Sequence, residues 1–212
     1  MKIILVRRII SIVLLAVLSA NLLPAQNKQT TKTGNDRFSI KAQAFMGMYL
    51  CPSGNIEDIA PNAPTGLNFG IEFPSSQQRP WQQYLGNSTV GVGISWLDFG
   101  QPQDPAMAKL GMGVAVYPYI LLDAIDTDHF QMRFKIAGGL GAVTEHWYTQ
   151  EDTDPDHYYE PTVNTIFGCT LNAYLNAGIN LNFPITRYLA VGGEFGYFHM
   201  SNGRVCMPNI GV

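Results

Sequence analysis

His199 and Ser201 stand two residues apart near the carboxyl end of the chain, followed directly by Asn202-Gly203. An imidazole beside a serine hydroxyl is the pairing used for acyl transfer: the base takes the hydroxyl proton and turns a weak nucleophile into a strong one. A β-strand holds positions i and i+2 on one face with Cβ atoms about 7 Å apart, which is close enough for the two groups to cooperate. The preceding sequence predicts such a strand. From Phe167 to Phe183 the odd positions are apolar or small (Phe167, Cys169, Leu171, Ala173, Leu175, Ala177, Ile179, Leu181, Phe183), and the even positions are mostly Asn, Gly, Thr and Tyr. After a turn at Pro184-Ile185-Thr186 the chain returns with Leu189, Val191, Phe195 and Tyr197 on one face, and that face continues into His199 and Ser201. Strict period-two alternation marks a strand between two unlike solvents. The expectation is a base and a nucleophile aimed at acyl chains.

Five earlier segments repeat the pattern. Phe38 to Met46, Leu67 to Phe73, Val90 to Trp96, Leu110 to Tyr117 and Phe130 to Gly141 all alternate apolar residues with Gly or polar ones, making seven strands with the two above. Seven glycine-rich amphipathic segments of roughly ten residues predict an all-β fold, an antiparallel transmembrane β-barrel. A soluble sandwich also alternates, but it does not explain the small, polar second face or the many Tyr and Trp expected near strand ends, among them Trp81, Trp96, Tyr117, Tyr119, Trp147 and Tyr188. Bacterial barrels close with even strand numbers, so seven implies a barrel truncated at the C-terminus, with at least one strand to follow.

Only 14% of the 212 residues are charged, the formal net charge is -3 and 21 residues are glycine. Nothing in that balance provides a basic surface for nucleic acid. Residues 1–25 have the layout of a signal peptide: Lys2, Arg7 and Arg8, an apolar stretch from Ile9 to Leu18, and a small-residue exit at Leu23-Pro24-Ala25. Arg7-Arg8 would also fit a twin-arginine signal, but a barrel must cross the inner membrane unfolded, which favours ordinary secretion. Cleavage after Ala25 leaves residues 26–212 as the outer-membrane barrel domain. Beyond it no apolar run reaches the roughly 20 residues of a membrane helix. With the amino end in the periplasm, the segments at 51–65, 99–108, 144–165 and from 202 onward are extracellular, and His199 and Ser201 lie at outer-leaflet depth. Cys51, Cys169 and Cys206 are an odd count without metal-ligand spacing. Cys51 and Cys206, both at strand ends, are one available pairing, and Cys169 has lipid-facing parity.

The closing stretch, Phe198-His199-Met200-Ser201-Asn202-Gly203 followed by Pro208-Asn209-Ile210-Gly211, resembles the motif of the outer-membrane lipid A 3-O-deacylases, also called acyloxyacyl hydrolases. The resemblance covers this hairpin in detail and the rest of the chain in architecture. It implies a catalytic set in which His199 is the general base, Ser201 the nucleophile and Asn202 a donor to the oxyanion. It also implies an acidic residue shortly after the Pro-Asn-x-Gly turn, expected at the position following Val212. Glu194 has interior parity and does not substitute. The function implied is an esterase that removes an ester-linked acyl chain from lipid A, with lipopolysaccharide as substrate and no cofactor or metal. The alternative is a non-enzymatic outer-membrane barrel, an adhesin or small-solute channel, in which His199 and Ser201 are interfacial polar residues. An acyltransferase would share the first half-reaction.

Other groupings carry less. Asp152, Asp154 and Asp156 have calcium-loop spacing, but His157 replaces the glycine of the bend and Val163 the closing glutamate, so they read as a solvated acidic loop. Lys41, Glu72, Arg133, Lys135 and Glu194 share interior parity and are expected to line the lumen as salt bridges.

Overall fold

The computed structural model describes residues 19–22, 38–50, 63–75, 84, 88–100, 109–147, 164, 166–186 and 189–206. These form a single antiparallel sheet whose strands follow in chain order: β1 (Ser19–Leu22), β2 (Ser39–Met46), β3 (Thr65–Pro74), β4 (Ser88–Asp98), β5 (Met112–Asp126), β6 (Gln131–Val143), β7 (Leu171–Pro184) and β8 (Ala190–Ser201). Each strand pairs with the next, and β1 also pairs with β8, closing a barrel. Strands β2 to β8 are the seven segments expected from the alternation. The closing place is held by Ser19–Leu22, where Ser19 faces Gln43 of β2 on one side and Gly192 of β8 on the other. That segment lies within the stretch expected to be a signal peptide. Its ladder with β8 runs only from Ala190 to Gly192, leaving Gly193 to Ser201 paired on the β7 side alone among the described residues.

Polarity is inverted relative to a water-soluble protein. Large apolar side chains cover the outside: Phe38, Phe69, Val92, Ile136, Leu140, Leu175 and Phe195 are all exposed. The inside holds Ser39, Lys41, Gln43, Glu72, Ser95, Arg133, Lys135, Asn172, Asn180 and Asn182, all buried. An apolar exterior around a polar, packed interior is what a hydrocarbon solvent selects.

The expected lumen lining is one connected network. Lys41 Nζ and Lys135 Nζ donate to the two oxygens of Glu194 at 2.8 and 2.9 Å. Arg133 pairs with Glu72 at 3.5 Å and donates to Asn180 at 3.2 Å, while Tyr119 donates to Glu72 at 3.2 Å. The Lys135 ammonium also lies over the rings of Tyr117 and Tyr119, at 5.5 and 5.4 Å. Towards the end where His199 and Ser201 sit, the filling becomes apolar: Leu97, Phe99, Leu110, Ile166, Phe167 and Met200 are fully buried, and Tyr49 donates across to the Phe99 carbonyl at 2.6 Å.

Several details differ from the sequence reading. The fifth strand runs to Asp126 rather than stopping at Tyr117, because Pro118 and the unbroken Tyr119-Ile120-Leu121-Leu122 run hide an alternation that continues in space. Leu110 points inward, not outward: Gly111 has φ 68°, and that left-handed residue reverses the parity just before β5. Phe167 is likewise interior, against Phe99 at 5.1 Å, since β7 begins only at Leu171. Trp96 does face outward, whereas Tyr117, Tyr119 and Trp147 are buried and belong to the filling, not to an interfacial belt.

Gly139 shows how tightly that filling meets the wall. A methyl group there would collide with the Val116 carbonyl oxygen and approach Tyr117 Cα to 2.7 Å, both on the neighbouring strand. Because backbone must move to admit it, Gly139→Ala should lower unfolding stability by about 1–3 kcal/mol, read as an earlier urea midpoint in detergent. An unchanged midpoint would mean that β5 and β6 separate more freely than their packing implies.

Candidate active site

Strand β8 carries the two candidate side chains, His199 and Ser201, on its outer face. Met200 is fully buried and Phe198 packs inward against Tyr174 and Phe45, with ring centroids at 6.1 and 6.2 Å, so the intervening His199 and the following Ser201 are directed to the outside. Both are half-buried. The same face carries Phe195 and Tyr197, at 69% and 51% exposure. Across the ladder His199 faces Leu175, Ser201 faces Ala173 and Tyr197 faces Ala177. The imidazole is therefore framed by hydrocarbon, and the two alanines leave a shallow strip beside it.

Tyr197 contributes something the motif alone did not single out. Its ring lies nearly parallel to the His199 imidazole, at 14° and 6.5 Å between centroids. The signal was present as a third member of the same-face series two residues earlier. Ser201 Oγ accepts a hydrogen bond from the Gly203 amide at 3.2 Å, across a turn in which Gly203 and Arg204 both have positive φ, 63° and 67°. Glycine adopts that conformation without penalty, and Arg204 is held in it by the Asn202 side chain.

Asn202 occupies a different post from its two neighbours. It is 7% exposed, its Oδ1 accepts from the Arg204 amide at 2.9 Å, and its Nδ2 donates to the Cys206 carbonyl at 3.0 Å. Its amide thus organises the turn that presents the Gly203 N–H to Ser201. Glu194 is committed to Lys41 and Lys135 in the lumen, as its parity required. Among the described residues no hydrogen bond or ion pair joins a carboxylate to His199. The Pro208 to Gly211 turn, the Asp152, Asp154 and Asp156 loop, and Cys51 lie outside the described residues. No cluster of three or more potential metal ligands occurs among the described residues.

An apolar-walled β-barrel with a filled lumen, bearing a serine and a histidine two residues apart on its outer face, defines the class: a membrane-type barrel without an open pore among the described residues. The family model described as lipid A 3-O-deacylase (PagL) matches residues 65–212, from the first residue of β3 through the whole His-Ser hairpin, and the chain belongs to that family. It is accordingly placed among outer-membrane hydrolases that act on lipid A. No curated protein and no solved structure matches the chain.

Proposed function

We propose that this protein hydrolyses an ester-linked acyl chain of lipid A through Ser201 and His199. The observation that carries the reading is their shared outward face on β8, within the family-matched region and framed by apolar wall. His199 takes the proton of Ser201 as Oγ attacks the ester carbonyl, and passes it to the departing sugar oxygen, leaving an acyl-serine. Water activated by the same imidazole then releases the fatty acid and restores the serine. The stacked Tyr197 ring limits the tilt of the imidazole, and the acyl chain lies along the strip over Ala173 and Ala177. Cleavage of the signal peptide after Ala25 would remove Ser19–Leu22 from between β2 and β8.

The oxyanion falls to the backbone. The Gly203 amide, now bonded to Ser201 Oγ, lies beside the attacking oxygen and would turn to the carbonyl oxygen as the serine reacts, whereas the Asn202 side chain is engaged with Arg204 and Cys206. Asn202 is therefore a positioning residue in this scheme. Asn202→Ala should lower kcat about tenfold, equivalent to about 1.4 kcal/mol of transition-state stabilisation, with KM and membrane insertion little changed. A wild-type kcat in that variant would remove the turn from the mechanism.

The filled lumen favours this reading over a small-solute channel, since Tyr117, Tyr119 and Tyr174 and the Lys41–Glu194–Lys135 bridge occupy the axis. The direct test is purified barrel mixed with lipopolysaccharide, followed by lipid A mass spectrometry. The expected product is lighter by one ester-linked chain, with one free fatty acid per lipid. Unaltered lipid A with folded protein overturns the proposal.

A further inference from the structure

Two of the three cysteines meet at the site end of the β7–β8 hairpin, though they are 37 positions apart in sequence. Cys169 precedes β7 and Cys206 follows β8. The strands bring their anchors together: the last ladder pair is Ala173 opposite Ser201, so Asn172 and Asn202 stand next to it at adjoining strand ends. Each cysteine is fixed through its own carbonyl by an asparagine from the adjoining strand end. Asn172 Nδ2 donates to the Cys169 carbonyl at 3.0 Å, and Asn202 Nδ2 donates to the Cys206 carbonyl at 3.0 Å. The approach to Cys169 is tied further by Trp147 N donating to Phe167 O and Val143 N to Thr170 O, both at 2.9 Å. Both residues are half-buried and unlinked, and Cys169 Sγ donates to the Leu171 carbonyl at 3.3 Å while lying near enough to Cys206 to perturb its thiol. The neighbouring Cys169 side chain is the leading reason the Cys206 thiol is pushed above its ordinary range.

We propose that Cys169 and Cys206 form a disulfide that locks the outer end of the β7–β8 hairpin. Proteins of the outer membrane fold in a compartment where disulfides form and persist. The reaction is thiol–disulfide exchange with the disulfide of an exported thiol oxidoreductase. One cysteine thiolate attacks a sulfur of the oxidant and gives a mixed disulfide; the other thiolate attacks that bond. The Cys169–Cys206 S–S bond forms, the oxidant leaves as a dithiol, and two electrons pass to it with the two protons released. The cross-link bears on the reactive hairpin because Cys206 accepts from the same Asn202 amide that holds the Gly203 turn against Ser201. Its existence does not depend on the esterase reading. It also replaces the Cys51–Cys206 pairing raised by strand-end position and the lipid-facing place given to Cys169.

The experiment is peptide mapping of protein extracted from outer membranes in the presence of a thiol-blocking reagent and without reductant. Trypsin places Cys169 on the peptide from Ile136 to Arg187, Cys206 on the one that starts at Val205, and Cys51 on a third. The expected result is the first two peptides joined, two hydrogens lighter than their sum, with Cys51 carrying the blocking group. Dithiothreitol should separate them and lower the urea midpoint of the barrel. Cys51→Ser should keep the link, and Cys169→Ser or Cys206→Ser should lose it. Blocked Cys169 and Cys206 in the untreated wild-type protein, or a link from either to Cys51, overturns the proposal even if the serine variants fail to fold.

Discussion

Ser201→Ala and His199→Ala barrels should insert into membranes and migrate as folded species, yet leave lipid A fully acylated. Neither side chain supports the interior: both are on the outer face, and the packing beneath them comes from Phe198, Met200 and Tyr174. Loss of either should therefore cost little stability while removing the nucleophile or the base that activates it. In serine hydrolases that act through such a pair, either deletion alone abolishes nearly all of the acceleration, so activity should fall by about 10³-fold or more. The double variant should fall no further than the worse single one, since the two groups act as a unit. Time-resolved mass spectrometry of lipid A from cells expressing each variant measures this. Deacylation at a wild-type rate in either alanine variant would eliminate the pair as the reacting groups.

Glu194→Ala should do the reverse and strike the barrel itself. Two ammonium groups, Lys41 and Lys135, converge on this one carboxylate inside the lumen, with side-chain exposures of 6%, 4% and 6% for Lys41, Lys135 and Glu194. Removing the carboxylate leaves two like charges facing each other with little water to solvate them. Breaking a buried pair from one side costs about 3–5 kcal/mol, more than deletion of an outward apolar side chain such as Phe195. The expected result is a large fall in the urea midpoint, or loss of the heat-modifiable folded band. Glu194→Gln should fall between, since an amide oxygen still accepts from one lysine. An unaltered midpoint in Glu194→Ala would mean that the lumen admits enough water to screen the lysines.

The seven long strands were legible because alternation is a local property, set by the two solvents that each strand separates. The charged lumen was legible for the same reason: Lys41, Glu72, Arg133, Lys135 and Glu194 all fall on one parity. What escaped was set by backbone conformation or by contacts between distant segments. Gly111 at φ 68° reverses the side of Leu110, and a bend region places Phe167 beside Phe99; neither has a periodicity to betray it. In the hairpin, His199 and Ser201 were readable from spacing, but the engagement of Asn202 with Arg204 and Cys206 depends on a turn that only coordinates reveal. Cys169 and Cys206 are related through the β7–β8 register, so a linear spacing rule does not find them.

In the proposed reaction Ser201 and His199 act from the outer wall, with the buried filling of the barrel behind them. A lipid substrate then arrives sideways, by diffusing in the plane of the leaflet, and needs no tunnel or mouth. What saturates such a catalyst is the mole fraction of substrate among its neighbouring amphiphiles. Diluting lipid A with inert detergent at constant bulk concentration should therefore slow turnover, much as thinning a crowd slows encounters on a floor.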